Sequence, residues 1–110
     1  MPKVLTPEQV QHFHREGYAF PFRAMDVQQA RQYRELIESY ERAAGHDANR
    51  TLKIKGHLAF PALVELARNP RILDAVEDLI GPNILLFGAS IFAKDPGDPR
   101  YVSWHQDSAY

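Results

Sequence analysis

Ile84-Leu85-Leu86-Phe87-Gly88-Ala89-Ser90-Ile91-Phe92-Ala93-Lys94 is a near-continuous apolar run, bounded by Gly81-Pro82-Asn83 before it and Asp95-Pro96-Gly97-Asp98-Pro99 after it. Its periodicity is too flat for a surface helix, and turn chemistry closes it on both sides. The pattern predicts a central strand covered on both faces, with Gly88 as the site of a bulge. Tyr101-Val102-Ser103-Trp104-His105 then resumes extended structure. These segments decide the fold class, because they make residues 83–110 the strand-forming part of the chain and set it after a helical part over 1–81. A sheet whose last strand starts just before Tyr110 has an unpaired edge, so the sequence reads as the first part of something longer.

Working back towards the N-terminus, helix signals dominate. Thr6-Pro7-Glu8-Gln9 is a helix start: Thr6 caps, Pro7 suits the first helical position, and Gln9 reaches back to complete a capping box. Val10 and Phe13 share a face, and Gly17 ends the helix in a left-handed turn. Tyr18-Ala19-Phe20-Pro21-Phe22 is aromatic and extended in character, which predicts a short strand, with Pro21 restricting it to an edge or a strand end. Asp26 with Gln29 repeats the capping logic, and Ala30, Tyr33, Ile37, Tyr40 and Ala44 recur at steps of three and four before Gly45. His46 to Arg50 reads as a polar loop, and Leu52-Lys53-Ile54-Lys55 alternates as a half-buried strand would. Between Pro61 and Gly81 the apolar positions suit two short helices, broken at Asn69-Pro70 because proline disfavours helix in the residue before it. Gly81-Pro82 stops the second.

Composition narrows the classes of function. With 45% hydrophobic residues, 110 residues have enough apolar side chains for a single core, so residues 1–110 are expected to belong to one domain, as its N-terminal part. Thirteen basic and 14 acidic side chains leave a formal charge of -1, so there is no broad positive field and nucleic acid is not an expected partner. No apolar run approaches the roughly 20 residues that cross a bilayer, and the start lacks the features of a signal peptide, which predicts a soluble, cytoplasmic protein without a membrane partner. The chain has no cysteine, leaving His, Asp and Glu as the ligands for any metal. The oligomeric state stays open, a homo-oligomer included.

Chemistry concentrates at His105-Gln106-Asp107. In extended backbone, side chains at i and i+2 leave the same face, so one imidazole and one carboxylate can meet a single ion. Nitrogen and oxygen donors with open positions match the two-histidine, one-carboxylate arrangement of iron(II) oxygenases, and the same donors also suit zinc or manganese. On its own the pattern is short and unspecific. His12 and His14 have the same spacing, but on a helix they point about 200° apart and cannot share an ion. Gln106 and Trp104 fall on the face opposite the two donors, Gln106 as a support or substrate-side contact and Trp104 as packing.

Several segments together resemble the phytanoyl-CoA dioxygenase family: Leu5-Thr6-Pro7-Glu8-Gln9 with Phe13 and Gly17-Tyr18, the stretch from Lys55 to Pro70, Gly81-Pro82-Asn83-Ile84, Ile91-Phe92-Ala93-Lys94, and Trp104-His105-Gln106-Asp107. The resemblance runs over nearly the whole chain. It implies an α+β fold, in which N-terminal helices pack on the first strands of a double-stranded β-helix (jelly-roll, cupin-like) core. It also implies an iron(II), 2-oxoglutarate-dependent dioxygenase that uses O2 to hydroxylate a small organic molecule or an acyl thioester. Carried over by position, His105 and Asp107 are the catalytic residues and metal ligands, while Lys55 and Ser90 bind 2-oxoglutarate. His57 and Gln106 are substrate-side candidates, although a hydrogen-bonded structural role suits His57 better. The family's distal histidine and arginine have no counterpart in this sequence. Two rival readings therefore stand beside hydroxylation: a non-catalytic binding domain, and an oxygenase of the same class that forms rings or desaturates.

Overall fold

The computed structural model describes residues 1–107, and among these caps and prolines cut the polypeptide into six helices. These are α1 (Pro7–Glu16), α2 (Val27–Ala44), α3 (Ala48–Thr51), α4 (Gly56–Ala59), α5 (Pro61–Ala67) and α6 (Pro70–Ile80). Both expected capping boxes form: the Thr6 side chain accepts from the Gln9 N–H at 3.2 Å, and Asp26 accepts from the Gln29 N–H at 2.7 Å. Gly17 and Gly45 close α1 and α2 at φ 84° and 71°, a left-handed region where a Cβ would be strained. Pro61 and Pro70 open α5 and α6, and the Asn69 side chain caps α6 by accepting from the Arg71 N–H.

The N-terminal segment is tied to α6 by one carboxylate. Asp78 accepts the backbone N–H groups of Lys3 (2.6 Å), Val4 (2.9 Å) and Leu5 (2.9 Å), and the Lys3 ammonium reaches Glu77 and Asp74 at 2.7 and 3.3 Å. This seats Leu5 among the buried residues and sets α1 against α6. Partial desolvation pushes the Asp78 carboxyl up, but the three N–H bonds and the Lys3 charge outweigh it and hold the group below its ordinary value of 3.8.

A second cluster joins α2 to the short helices. Glu41 accepts from the Ala48 N–H at 2.8 Å, supplying from a distance the cap that α3 lacks locally. Tyr40 hydrogen-bonds the Thr51 hydroxyl and packs on Phe60 with ring centroids 5.7 Å apart. Ala48, Leu52 and Leu63 are buried here, at 0%, 2% and 7% exposure. Gly56 sits between them, where an added Cβ would lie 3.1 Å from the Leu52 Cβ and 3.3 Å from the Leu63 Cδ1.

The expected α+β class with jelly-roll strands is corrected: among the described residues there is no strand. Residues 84–94 take no regular structure, and the stretch 89–93, bonded at alternate positions, docks on helix and turn residues instead of on another strand. Ala89 N–H donates to His57 Nδ1 (3.1 Å), Ile91 N–H to the Leu52 carbonyl (2.8 Å) and Ala93 N–H to the Asn49 side-chain oxygen (2.8 Å). Two more bonds return, from Gly56 N–H to the Ala89 carbonyl and from the Asn49 amide to the Ala93 carbonyl, both at 2.8 Å. Alternate residues thus satisfy one edge. The side chains are not enclosed on two faces, since Leu85, Phe87 and Phe92 are 88%, 82% and 76% exposed. Apolarity indicated that these residues could be buried; without a paired sheet they are not.

The other expected strands are corrected too. Over 52–55 a local bond wins, because Leu52 N–H closes α3 onto the Ala48 carbonyl (2.8 Å), and Lys53 to Lys55 form a turn with Ile54 77% exposed. Residues 18–22 have no strand partner, and Tyr18 meets His12 edge-on at 4.7 Å. Residues 101–105 are exposed and irregular, and Trp104, expected to pack, is fully exposed. Conversely the expected loop at 46–50 contains most of α3. The radius of gyration is 16.0 Å, against about 13 Å for a compact domain of this length.

Two stability effects follow. Leu52→Ala leaves a void against Leu63 and Gly56 and is expected to cost about 2–4 kcal/mol in urea denaturation. Asp78→Ala is expected to destabilise at pH 7. The Asp78 contribution is present above the unfolded carboxylate pKa and is lost as pH falls through the depressed folded value, so the two proteins should converge in stability only once the pH is below the ordinary carboxylate range. An equal gap at pH 7 and at low pH would exclude the anion clamp.

Candidate functional site

His105 and Asp107 converge, although not on a strand. The chain bends so that His105 Nδ1 donates to the Ser103 carbonyl at 2.7 Å, a direction fixed because a carbonyl only accepts. The other ring nitrogen, Nε2, then faces Asp107 Oδ1 at 3.2 Å. With Nδ1 holding the proton of the neutral ring, Nε2 presents a lone pair to the lone pairs of a carboxylate. That arrangement is repulsive unless a positive charge lies between them, either a proton on Nε2 or a metal cation. The Ser103 carbonyl first, and then the Asp107 charge, accordingly hold the imidazole pKa above its usual 6.5. Proton and metal compete for the same place.

The pair fits two neighbouring positions of one ion. Donor distances of about 2.1 Å at a right angle put two ligand atoms about 3 Å apart, close to the separation found. The bond from Nδ1 to a carbonyl is also the usual outer support of a metal-binding histidine. Both side chains are open to solvent, at 54% and 80% exposure. Among the described residues, however, no group of three or more His, Cys, Asp or Glu side chains is placed to hold a metal ion. The donors thus fit part of an iron(II) centre and, among the described residues, do not complete it.

Lys55 and Ser90 flank a single hydrogen bond, that from Gly56 N–H to the Ala89 carbonyl, which brings their backbones side by side. Both are exposed, and Lys55 holds a left-handed conformation at φ 49° as it leads into α4. Among the described residues, no hydrogen bond or ion pair joins either of them to His105 or Asp107. His57 spends its Nδ1 on the Ala89 N–H, which fixes the extended segment. Gln106 is exposed beside the donor pair. His12 and His14 lie on α1, where helical geometry separates them.

The expected hydroxylating dioxygenase is corrected by these findings: among the described residues there is neither a strand-built core nor a completed set of metal donors. Sequence reasoning also passed over Asn49, whose side-chain amide clips both the N–H and the C=O of Ala93. Its partner lies 44 residues away, so no local signal announced the clip. The Asp98–Arg100 pair could have been read from its spacing in the turn: Arg100 Nε lies 2.9 Å from Asp98 Oδ2, and its backbone N–H bonds Oδ1.

Among the described residues no helix is long and apolar enough to cross a membrane. No solved structure shows a significant match to the chain. A curated protein of Stutzerimonas stutzeri, described as a probable alpha-ketoglutarate-dependent hypophosphite dioxygenase, is 42% identical over 55 residues. That match covers 49% of this chain and 18% of the relative, so the chain spans less than a fifth of that protein. The family model for phytanoyl-CoA dioxygenase (PhyH) matches residues 1–110, and the chain belongs to the phytanoyl-CoA dioxygenase family.

Proposed function

We propose that residues 1–110 act as a binding domain of this family and do not turn over a substrate by themselves. In this reading His105 and Asp107 hold a divalent cation, and Lys55 and Ser90 hold an organic anion. Family membership supports iron(II) as the cation and 2-oxoglutarate as the anion. The name of the Stutzerimonas relative, alpha-ketoglutarate-dependent, supports the same anion. The low coverage of that relative supports taking 1–110 as one portion of a single domain.

What carries this reading is the 3.2 Å approach of Nε2 to Oδ1 with Nδ1 already committed to Ser103. Two protein donors leave most positions of an ion to water or small ligands, which favours weak, exchangeable binding over a fixed catalytic geometry. The Lys55 ammonium offers an anion a charge-assisted bond, and the exposed Ser90 hydroxyl offers a neutral one. Gln106 lies next to the donors as a candidate substrate-side contact, and His57 supports the site by anchoring Ala89.

Titration with Mn(II), followed by loss of the free-ion electron paramagnetic resonance signal, tests the donors. Losing a supporting partner of a metal ligand already costs 10-fold or more, so His105→Ala and Asp107→Ala should each weaken binding by about tenfold or more. Unchanged binding in both variants would sink the assignment. Incubation with iron(II), 2-oxoglutarate and O2 should give no succinate beyond a protein-free control, and succinate that depends on the chain would sink the binding-domain reading instead. In a nuclear magnetic resonance titration without metal, His105 should show a midpoint above 6.5 that falls part of the way back in Asp107→Asn, because the Ser103 carbonyl remains.

A further inference from the structure

A cavity of about 310 Å³ opens where the turn after α3 meets the extended segment and the chain beyond residue 98. Phe92 and Tyr101 line it and are 76% and 85% exposed, so two aromatic rings stand at an opening they do not fill. Lys53, Lys94 and Arg100 also line it, with Asp98 as the one carboxylate. The charges do not cancel. Asp98 is taken up by Arg100, which meets it through the backbone N–H and two guanidinium nitrogens, and the Asp98 side chain is only 10% exposed. Lys94 donates to the Asp98 backbone carbonyl, a neutral acceptor, and Lys53 makes no ion pair among the described residues. Asp47 and Asp95 act on Arg100 from outside the lining, and the two ammonium groups stand without an ion pair among the described residues, beside two aromatic rings.

Their placement is built into the fold. Lys53 follows Leu52, whose carbonyl holds Ile91, and Lys94 follows Ala93, which the Asn49 amide clips at 2.8 Å on both sides. The same docking that orders the extended segment therefore sets the two cations across one opening. Arg100 is 80% exposed and retains outward N–H groups beyond those spent on Asp98.

From this charge complementarity we infer that the cavity binds a small aromatic carboxylate, its ring against Phe92 and Tyr101 and its carboxylate between Lys53 and Lys94. The volume stands at the lower end of the roughly 300–1,000 Å³ of small-molecule sites, which suits one or two fused rings. An anion without a ring forgoes the apolar wall, and a ring without a charge leaves the ammonium groups unmatched. None of His105, Asp107, Lys55 and Ser90 lines this cavity, so the site stands apart from the one proposed above.

Calorimetric titration of the full chain with 2-naphthoate, 2-naphthalenemethanol and acetate tests the inference. Saturable naphthoate binding, at least about tenfold tighter than either control, is expected. Lys53→Glu and Lys94→Met should each weaken it several-fold, whereas Arg31→Glu, the same charge change as Lys53→Glu placed on α2, should not. Equal binding of naphthoate and the alcohol would overturn the proposal, as would acetate binding as tightly as naphthoate. Loss of affinity in Arg31→Glu equal to that in Lys53→Glu would show a response to net charge alone and overturn it too.

Discussion

The docking of residues 89–93 onto the α3–α4 region is the constraint on which the rest of the arrangement depends. Backbone groups at alternate positions are satisfied by a carbonyl, an imidazole nitrogen, a glycine N–H and an asparagine amide, each from a different residue between 49 and 57. Gly56 keeps the packing beneath this segment close, because a side chain there would crowd Leu52 and Leu63. An extended segment left without any partner would leave these groups to water and its apolar residues with no fixed place. The bonds hold it at a defined height over the small core of Ala48, Leu52 and Leu63, and they carry Lys94 and the following turn with it.

The same docking accounts for the open character of the molecule. Only one edge of the extended segment is used, and Leu85, Phe87 and Phe92 stay in solvent. Large exposed apolar side chains in one region characterise a surface that meets ligands or other polypeptide, whereas scattered single ones do not. The donor pair at His105 and Asp107 belongs to this open part as well. Its geometry comes from a bond between the ring and the carbonyl two residues earlier, and no packed wall holds it.

Helices were legible in the sequence because their determinants are local. Thr6 with Gln9, Asp26 with Gln29, the break at Asn69-Pro70 and the left-handed Gly17 each act within four residues, and all of them work as read. Strands were misread because alternation and apolarity say only what a sheet would accept, and a sheet needs a second segment that only tertiary pairing provides. At 52–55 a single bond from Leu52 to Ala48 was enough to turn an alternating pattern into a helix end. The contacts that organise the rest, Asp78 with Lys3 to Leu5 and Asn49 with Ala93, join residues more than 40 positions apart and leave no trace in either segment alone.

The convergence of His105 and Asp107 was anticipated for a reason that differs from the one the structure provides. Strand geometry would place both side chains on one face; here the chain is irregular, and the ring is turned by its own bond to Ser103. The outcome survives the change of cause because the i, i+2 spacing limits how far apart the two groups can be, and because imidazole and carboxylate attract each other once a proton or a cation is shared. Sequence proximity thus provides a pair of donors at little conformational cost, while a third donor has to come from elsewhere in the fold. Binding an ion and activating it are separable on these grounds: the first needs only neighbours in sequence, and the second needs a core that fixes them.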